Sequence, residues 1–310
     1  MIMKRIAVLI FLLTLPQWAI CATAPKKIPV LLDTDIGSDI DDAFALALIV
    51  NSPELDLLGV TTVSGDSEAR ARLAAKMLVD AGRLDVPVAA GASGQPLPIQ
   101  QCRLAEGFKS PSLLPIAAED FLESEIRRRP GQITIVAIGP LTNVAALLKK
   151  YPDAAKEIKQ IVLMGGSVER GYAPGSRPEA EYNIKMDPAA AQVVFSSGVP
   201  IVMAPLDVTA MLQLDAAARH RVFTQLTPAT NDLTLLYHLW NNETLTLFDP
   251  MAAALLLDPS LCETKPMAIE VDNEGFTREA SGKPANATVA LHTDPARFFQ
   301  FYLNRVAPQR

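Results

Sequence analysis

Between Asp33 and Asp42 the chain reads Asp-Thr-Asp-Ile-Gly-Ser-Asp-Ile-Asp-Asp, which puts five carboxylates into ten residues. Carboxylates crowded this closely repel one another, and the repulsion is relieved by protonation or by a hard divalent cation held through oxygen. Acidic turns also arise because Asp caps helices and complements the positive end of the helix dipole. That accounts for one or two acids, not five. An EF-hand loop is excluded. Asp33 and Asp35 have its opening spacing, but Gly37 falls at the fifth position of the loop rather than the sixth, and Phe44 stands where the bidentate Glu belongs. An Asp-x-Asp phosphatase nucleophile stays open on this segment alone.

The flanking residues predict how the acids are positioned. Residues 28–32 read as a buried parallel strand and residues 43–50 as a helix packed on the sheet, so the acids lie in a turn at a strand's carboxyl end. In open α/β sheets ligands bind at that edge. Further strand-like runs at 57–63, 133–137, 160–164 and 200–204 alternate with helical stretches at 69–81, 117–129 and 143–149. This alternation predicts an α/β fold with a largely parallel, mixed central sheet and helices on both faces. No composition shift or internal repeat divides residues 25–310, which read as a single domain. Residues 95–112 and 171–178, rich in Gly, Pro and small polar side chains, read as long loops over the mouth of the site.

The segment Asp33-Thr34-Asp35-Ile36-Gly37 followed by Asp41-Asp42-Ala43 resembles the amino-terminal signature of the inosine-uridine preferring nucleoside hydrolases. Other blocks agree in order and spacing: Thr61-Thr62-Val63-Ser64-Gly65, Ile138-Gly139-Pro140-Leu141-Thr142-Asn143, Val162-Leu163-Met164-Gly165-Gly166, Ala180-Glu181-Tyr182-Asn183 with Asp187-Pro188, Leu206-Asp207-Val208-Thr209 and Phe248-Asp249-Pro250. The similarity spans the chain from about residue 28 onward.

The resemblance implies a nucleoside hydrolase-like fold and one Ca²⁺, held by Asp35, Asp42, the carbonyl of Ile138 and Asp249. Substrate hydroxyls and a water would complete an oxygen shell of the kind Ca²⁺ prefers. It further implies Ca²⁺-dependent hydrolysis of the N-glycosidic bond of ribonucleosides to free base and ribose. A water on the cation, its proton taken by Asp35, would attack the anomeric carbon. The transition state has oxocarbenium character, which an anionic pocket favours as the charge develops. Asp41, Met164, Glu181 and Asn183 would recognise the ribose. Asp33 and Asp39 are expected to support or cap rather than ligate.

Three departures from the family pattern bear on the substrate. Family members often carry a His before the last metal Asp, and here it is Phe248, which cannot donate a proton. Asp66 stands after Gly65 where many members have an Asn near the ribose, and the usual Asn of the 171–178 loop is missing. Stacking on the base by Trp240, Tyr237 or Phe248 and a proton from His238 are the substitutes, all but Phe248 within 237–242. A Tyr/Leu/Trp row on a helix also reads as ordinary core. Two other functions stay in view: a nucleoside- or ribose-binding protein with impaired catalysis, and a metal-dependent phosphatase.

Residues 1–24 read as a secretory signal peptide, with Lys4 and Arg5, an apolar stretch at 6–15 and Ala22-Thr23-Ala24 as a cleavage site. An exported, periplasmic protein without a stable membrane anchor is the expectation. Removing Lys4 and Arg5 from 28 basic residues leaves 26 against 34 acidic ones, a net charge of −8. That balance disfavours nucleic acid polymers and, in an acidic pocket, nucleotides, leaving a small uncharged ribonucleoside as the partner. A homo-oligomer, dimer or tetramer, is implied by the resemblance only. Cys102 and Cys262 can form a bridge or remain free, and with the scattered His220, His238 and His292 they lack zinc-ligand spacing.

Overall fold

A computed structural model of the chain describes residues 26–309, so the leader expected at 1–24 lies outside the described residues. Eleven strands are present among them: β1 (Ile28–Thr34), β2 (Leu55–Thr62), β3 (Val88–Ala90), β4 (Leu113–Leu114), β5 (Thr134–Ala137), β6 (Gln160–Met164), β7 (Ile201–Ala204), β8 (Cys262–Met267), β9 (Ile269–Val271), β10 (Thr277–Glu279) and β11 (Ala287–Thr293). Nine form one sheet in the order β4-β3-β2-β1-β5-β6-β7-β11-β8. Neighbours are parallel except β8, which runs antiparallel to β11 at the edge. The sheet is therefore largely parallel and mixed. β9 and β10 make a separate antiparallel hairpin.

Both faces of the central strands are apolar because both are covered. Val30 and Leu32 of β1 enter one core with Phe44, Leu73, Met251, Phe298 and Tyr302, while Leu31 between them enters the other with Phe121, Ile126, Val144 and Leu147. The same alternation places Val162 and Met164 of β6 in the first core and Ile161 and Leu163 in the second. This is the signature of a parallel sheet between two helix layers. From β1 the chain winds one way through β2, β3 and β4, then restarts at β5 and winds the other way. The order reverses between β1 and β5, so a crevice opens beyond their carboxyl ends. The acidic segment follows β1 and the Ile138–Asn143 turn follows β5.

A buried arginine fixes that crevice. Arg70 is fully buried on the helix Ser67–Asp80. Its guanidinium donates to the carbonyls of Asp35 and Ile36 (3.0 Å for the latter), to the carbonyl of Ser64 (2.9 Å) and to Ser38 Oγ (2.8 Å). Gln101 Nε2 adds two bonds, to the carbonyls of Ser38 and Asp39, each at 2.8 Å. It lies on a 3-10 helix, Gln100–Ala105, which gives regular structure to part of the stretch read as loop at 95–112. Proline and glycine around it hid a segment whose backbone bonds are local. Residues 171–178 do remain irregular.

Cys102 and Cys262 are free and buried. Burial pushes both thiols up to about 11. No described helix is long and apolar enough to cross a membrane.

Replacing Arg70 by Met should remove about 3–5 kcal/mol of stability, because buried carbonyls lose their donor and nearby carboxylates lose their counter-charge. Urea unfolding of Arg70→Met measures it, and a loss below about 1 kcal/mol would mean that the guanidinium does not hold the acidic segment. Alkylation followed by mass mapping should find Cys102 and Cys262 as thiols that react only after denaturation; recovery of a Cys102–Cys262 peptide pair would contradict their separation.

Candidate functional site

Two helix starts meet at the crevice. Asp41 and Asp42 occupy the first turn of the helix Asp41–Val50, and Asp249 immediately precedes the helix Pro250–Leu257. Both helices are buried for nearly their whole length. Apolar packing thus forces their acidic ends together, where the positive ends of two helix dipoles favour negative charge. Asp249 N donates to Asp41 Oδ2 at 3.2 Å. Carboxylate oxygens of Asp41, Asp42 and Asp249 lie within 4.8 Å of one another, and all three residues are buried. A second contact orients Asp42, whose Oδ1 accepts from Thr34 Oγ1.

These acids form part of the wall of a cavity of about 280 Å³, completed by Asp35, Ser38, Asp39, Ile138, Met164, Glu181 and Asn183 and by an apolar and aromatic set, Leu97, Pro98, Tyr172, Tyr182 and Phe248, with Gln100. The lining contains no Lys, Arg or His. Burial raises the pKa of Asp41, Asp42 and Asp249 well above the ordinary carboxylate value, and the neighbouring aspartates raise it further. Asp35 is pushed up to about 6 by burial, against the opposing pull of Arg70. Three clustered, buried, oxygen-only donors on a wall without Lys, Arg or His fit a hard metal ion.

The turn after β5 approaches Asp35 so closely that only glycine fits. A Cβ on Gly139 would stand 2.9 Å from both the backbone nitrogen and Oδ1 of Asp35. On the far side, Glu181 caps the helix Tyr182–Met186 and accepts from the backbone N–H of Gly166 (2.9 Å), Asn183 (2.9 Å) and Ile184 (3.2 Å). Burial still lifts it to about 7. Asn183 Nδ2 donates to the carbonyls of Ile138 and Met164, each at 3.1 Å, which ties together the ends of β5 and β6. Each carbonyl keeps a second lone pair for another partner. Asp33 lies beneath, buried, with Oδ1 accepting from Thr61 Oγ1 (2.6 Å) and Asn143 Nδ2 (2.7 Å) and Oδ2 unpartnered.

The structure thus gathers Asp35, Asp41, Asp42, Ile138, Met164, Glu181, Asn183, Phe248 and Asp249 around one cavity. Within it the tight carboxylate triad is Asp41, Asp42 and Asp249; Asp35 stands on the same wall outside that triad. Two expected residues are elsewhere. Asp66 is the N-cap of the helix Ser67–Asp80, accepting from Ala69 N at 2.9 Å, and does not line the cavity. The reason is the backbone: Ser64 (φ 72°) and Gly65 (φ 56°) are both left-handed and turn the chain back toward its helix. Trp240 ends the helix Pro228–Trp240 and packs on Tyr237, with ring centroids 6.2 Å apart, away from the cavity, and His238 lies on the same helix outside the lining.

Arg70 and Tyr172 went unassigned in the sequence. Arg70 shares one helix face with Leu73, Ala74 and Met77, all buried, so a lone cation in an apolar stripe was its signal. Tyr172 carried no signal beyond its loop. Burial and the nearby Glu181 push its hydroxyl pKa up, which keeps it protonated.

The family model described as inosine-uridine preferring nucleoside hydrolase matches residues 30–300. A pyrimidine-specific ribonucleoside hydrolase, RihA, of Citrobacter koseri is 34% identical over 313 residues, covering 90% of this chain and 98% of that protein. A non-specific ribonucleoside hydrolase, RihC, of Klebsiella pneumoniae is 37% identical over 297 residues, covering 88% and 96%. The solved structure of a plant nucleoside hydrolase matches with a TM-score of 0.81 at 26% identity, over 92% of this chain and 100% of its own. With its sheet order, its acidic crevice and a match across most of its length, the chain belongs to the inosine-uridine preferring nucleoside hydrolase family.

Proposed function

We propose that this chain hydrolyses the N-glycosidic bond of ribonucleosides, with Ca²⁺ as the cofactor and Asp35 as the base. The observation that carries the reading is the buried Asp41–Asp42–Asp249 triad on the wall of a cavity that also presents Glu181, Asn183 and an aromatic side. Asp42 and Asp249 would hold the cation together with Asp35 and the free lone pair of the Ile138 carbonyl, and Asp41 joins them or turns to the sugar. When bound, the cation supplies positive charge that lowers the pKa of a water and orients ribose hydroxyls.

The chain's own residues do the rest. Asp35, on the cavity wall beside the triad, is the carboxylate placed to take a proton from the attacking water. Asp41, Glu181 and Asn183 receive the ribose hydroxyls, and a sugar lacking one leaves buried polar groups unpaired. The anionic wall favours the positive charge that grows on the sugar ring. Phe248 and the tyrosines offer flat apolar surface to the base. An uncharged nucleoside suits this field better than a nucleotide. Relatives of similar identity are named pyrimidine-specific and non-specific, so neither base class is assigned. Export through the leader at 1–24 belongs to the same reading; the family match begins after it, at residue 30.

A reducing-sugar assay on inosine, adenosine, uridine and cytidine should detect free ribose, lose the signal with chelator and regain it with Ca²⁺. Asp35→Asn should lower kcat by about 10²–10⁴-fold with the fold retained; full activity in that variant would remove Asp35 as the base. Binding of nucleoside without ribose release would instead indicate an impaired enzyme, and phosphate release from nucleotides a phosphatase.

Stability should depend on pH with a definite sign. Burial lifts Asp33 from 3.8 to about 7 and Asp35 from 3.8 to about 6, so between these values the folded chain holds more protons than the unfolded one. Stability of the cation-free protein should therefore fall as pH rises from about 4 to about 7. Calcium binds the ionised acids, so its stabilisation should grow over the same range. Melting curves in chelator and in Ca²⁺ at acidic and neutral pH test this, and a calcium shift of equal size at both would count against it.

A further inference from the structure

The anionic wall that favours positive charge on the sugar opposes the negative charge left on a departing base. A hydrogen-bond donor aimed at the base is then needed, and the lining supplies no Lys, Arg or His; its remaining side-chain donors are Ser38, whose Oγ accepts from Arg70, and Gln100, Asn183, Tyr172 and Tyr182. Asn183 has both amide hydrogens engaged, on the carbonyls of Ile138 and Met164. Phe248 has none to give. Tyr172 and Tyr182 are the aromatic side chains on the wall that carry a hydroxyl.

Tyr172 is the anchored one of the two. Its ring meets Phe248 edge-on, with centroids 6.1 Å apart and planes at 78°. Its Oη accepts a hydrogen bond from Tyr182 N at 2.9 Å. A phenol has one hydrogen to donate besides its lone pairs, and this bond uses only a lone pair. The hydroxyl hydrogen donates to no acceptor among the described residues, while the residue stays 39% exposed. Position is fixed from two directions and the donor is free, which is the preorganisation that makes such a group effective.

Resting on the nucleoside hydrolase reading above, we propose that Tyr172 is a catalytic residue of this chain, donating a hydrogen bond to the leaving base in place of a side chain at position 248. As the water oxygen bonds to the anomeric carbon and gives its proton to Asp35, the carbon–nitrogen bond breaks and its electron pair stays on the base. The Tyr172 hydroxyl meets that charge at a ring heteroatom. The base takes its final proton from solvent, and Asp35 returns its own there.

The test compares Tyr172→Phe and Tyr182→Phe with the unaltered protein on inosine, on uridine and on p-nitrophenyl riboside, whose phenolate leaves without help. Tyr172→Phe should lower kcat on the nucleosides about 10²-fold and on the riboside by no more than about threefold, with KM little changed. The riboside activity also reports the fold in the same sample. Equal losses on both substrate types overturn the proposal, and so does a selective loss in Tyr182→Phe but not in Tyr172→Phe. An unaltered protein that cleaves neither substrate refutes the hydrolase reading itself, an outcome distinct from either of these.

Discussion

Repulsion among buried carboxylates is the constraint around which this molecule is arranged. Ionised carboxylates this close repel one another, and the repulsion among Asp41, Asp42 and Asp249 adds to burial in holding their pKa values well above the ordinary carboxylate range. Two helix dipoles and one guanidinium offset part of it. The remainder is carried by packing: residues 43–49 and 250–255 are buried, and moving either helix to separate the acids would expose that surface. A bound cation would turn the same repulsion into affinity.

The scaffold under the acids is polar yet almost fully satisfied, which is what a buried network requires to be rigid. Arg70 addresses main-chain carbonyls rather than carboxylates, so it holds the segment's shape while leaving the acidic oxygens facing the cavity. Asp33 ties β1 to Thr61 of β2 and to Asn143, and Asn183 ties β5 to β6. The ends of β1, β2, β5 and β6 are thus tied to one another through side chains. Asp33 Oδ2 and Gln101 Oε1 are the exceptions in this scaffold, each buried without a partner among the described residues.

Much of this was legible in the sequence. The run at 160–164 coincides with β6, and β1 begins where its apolar run begins. That strand continues through Asp33 and Thr34, past the last apolar residue, because Thr61 and Thr62 pair with them in the ladder. β8 was hidden: its Cys-Glu-Thr-Lys-Pro-Met has a proline and three exposed polar residues, the profile of an edge strand. Acid spacing located the site, since both the strand before it and the helix after it were readable. Asp66 and Trp240 were misplaced because backbone angles at Ser64, Gly65 and Asn241, invisible in composition, decide where the chain turns. Arg70 and Tyr172 act through contacts distant in sequence. Periodicity marks Arg70 only as a lone cation in an apolar stripe and does not mark Tyr172.

The hydrogen bond from Asp249 to Asp41 joins residues 208 positions apart. A ribosome must therefore deliver four-fifths of the polypeptide before the triad can exist, and pairing so remote closes late in folding. Fragments and half-made chains carry the acidic signature without the ability to use it. The triad is complete only once its last contributor in the chain, Asp249, docks against the first two.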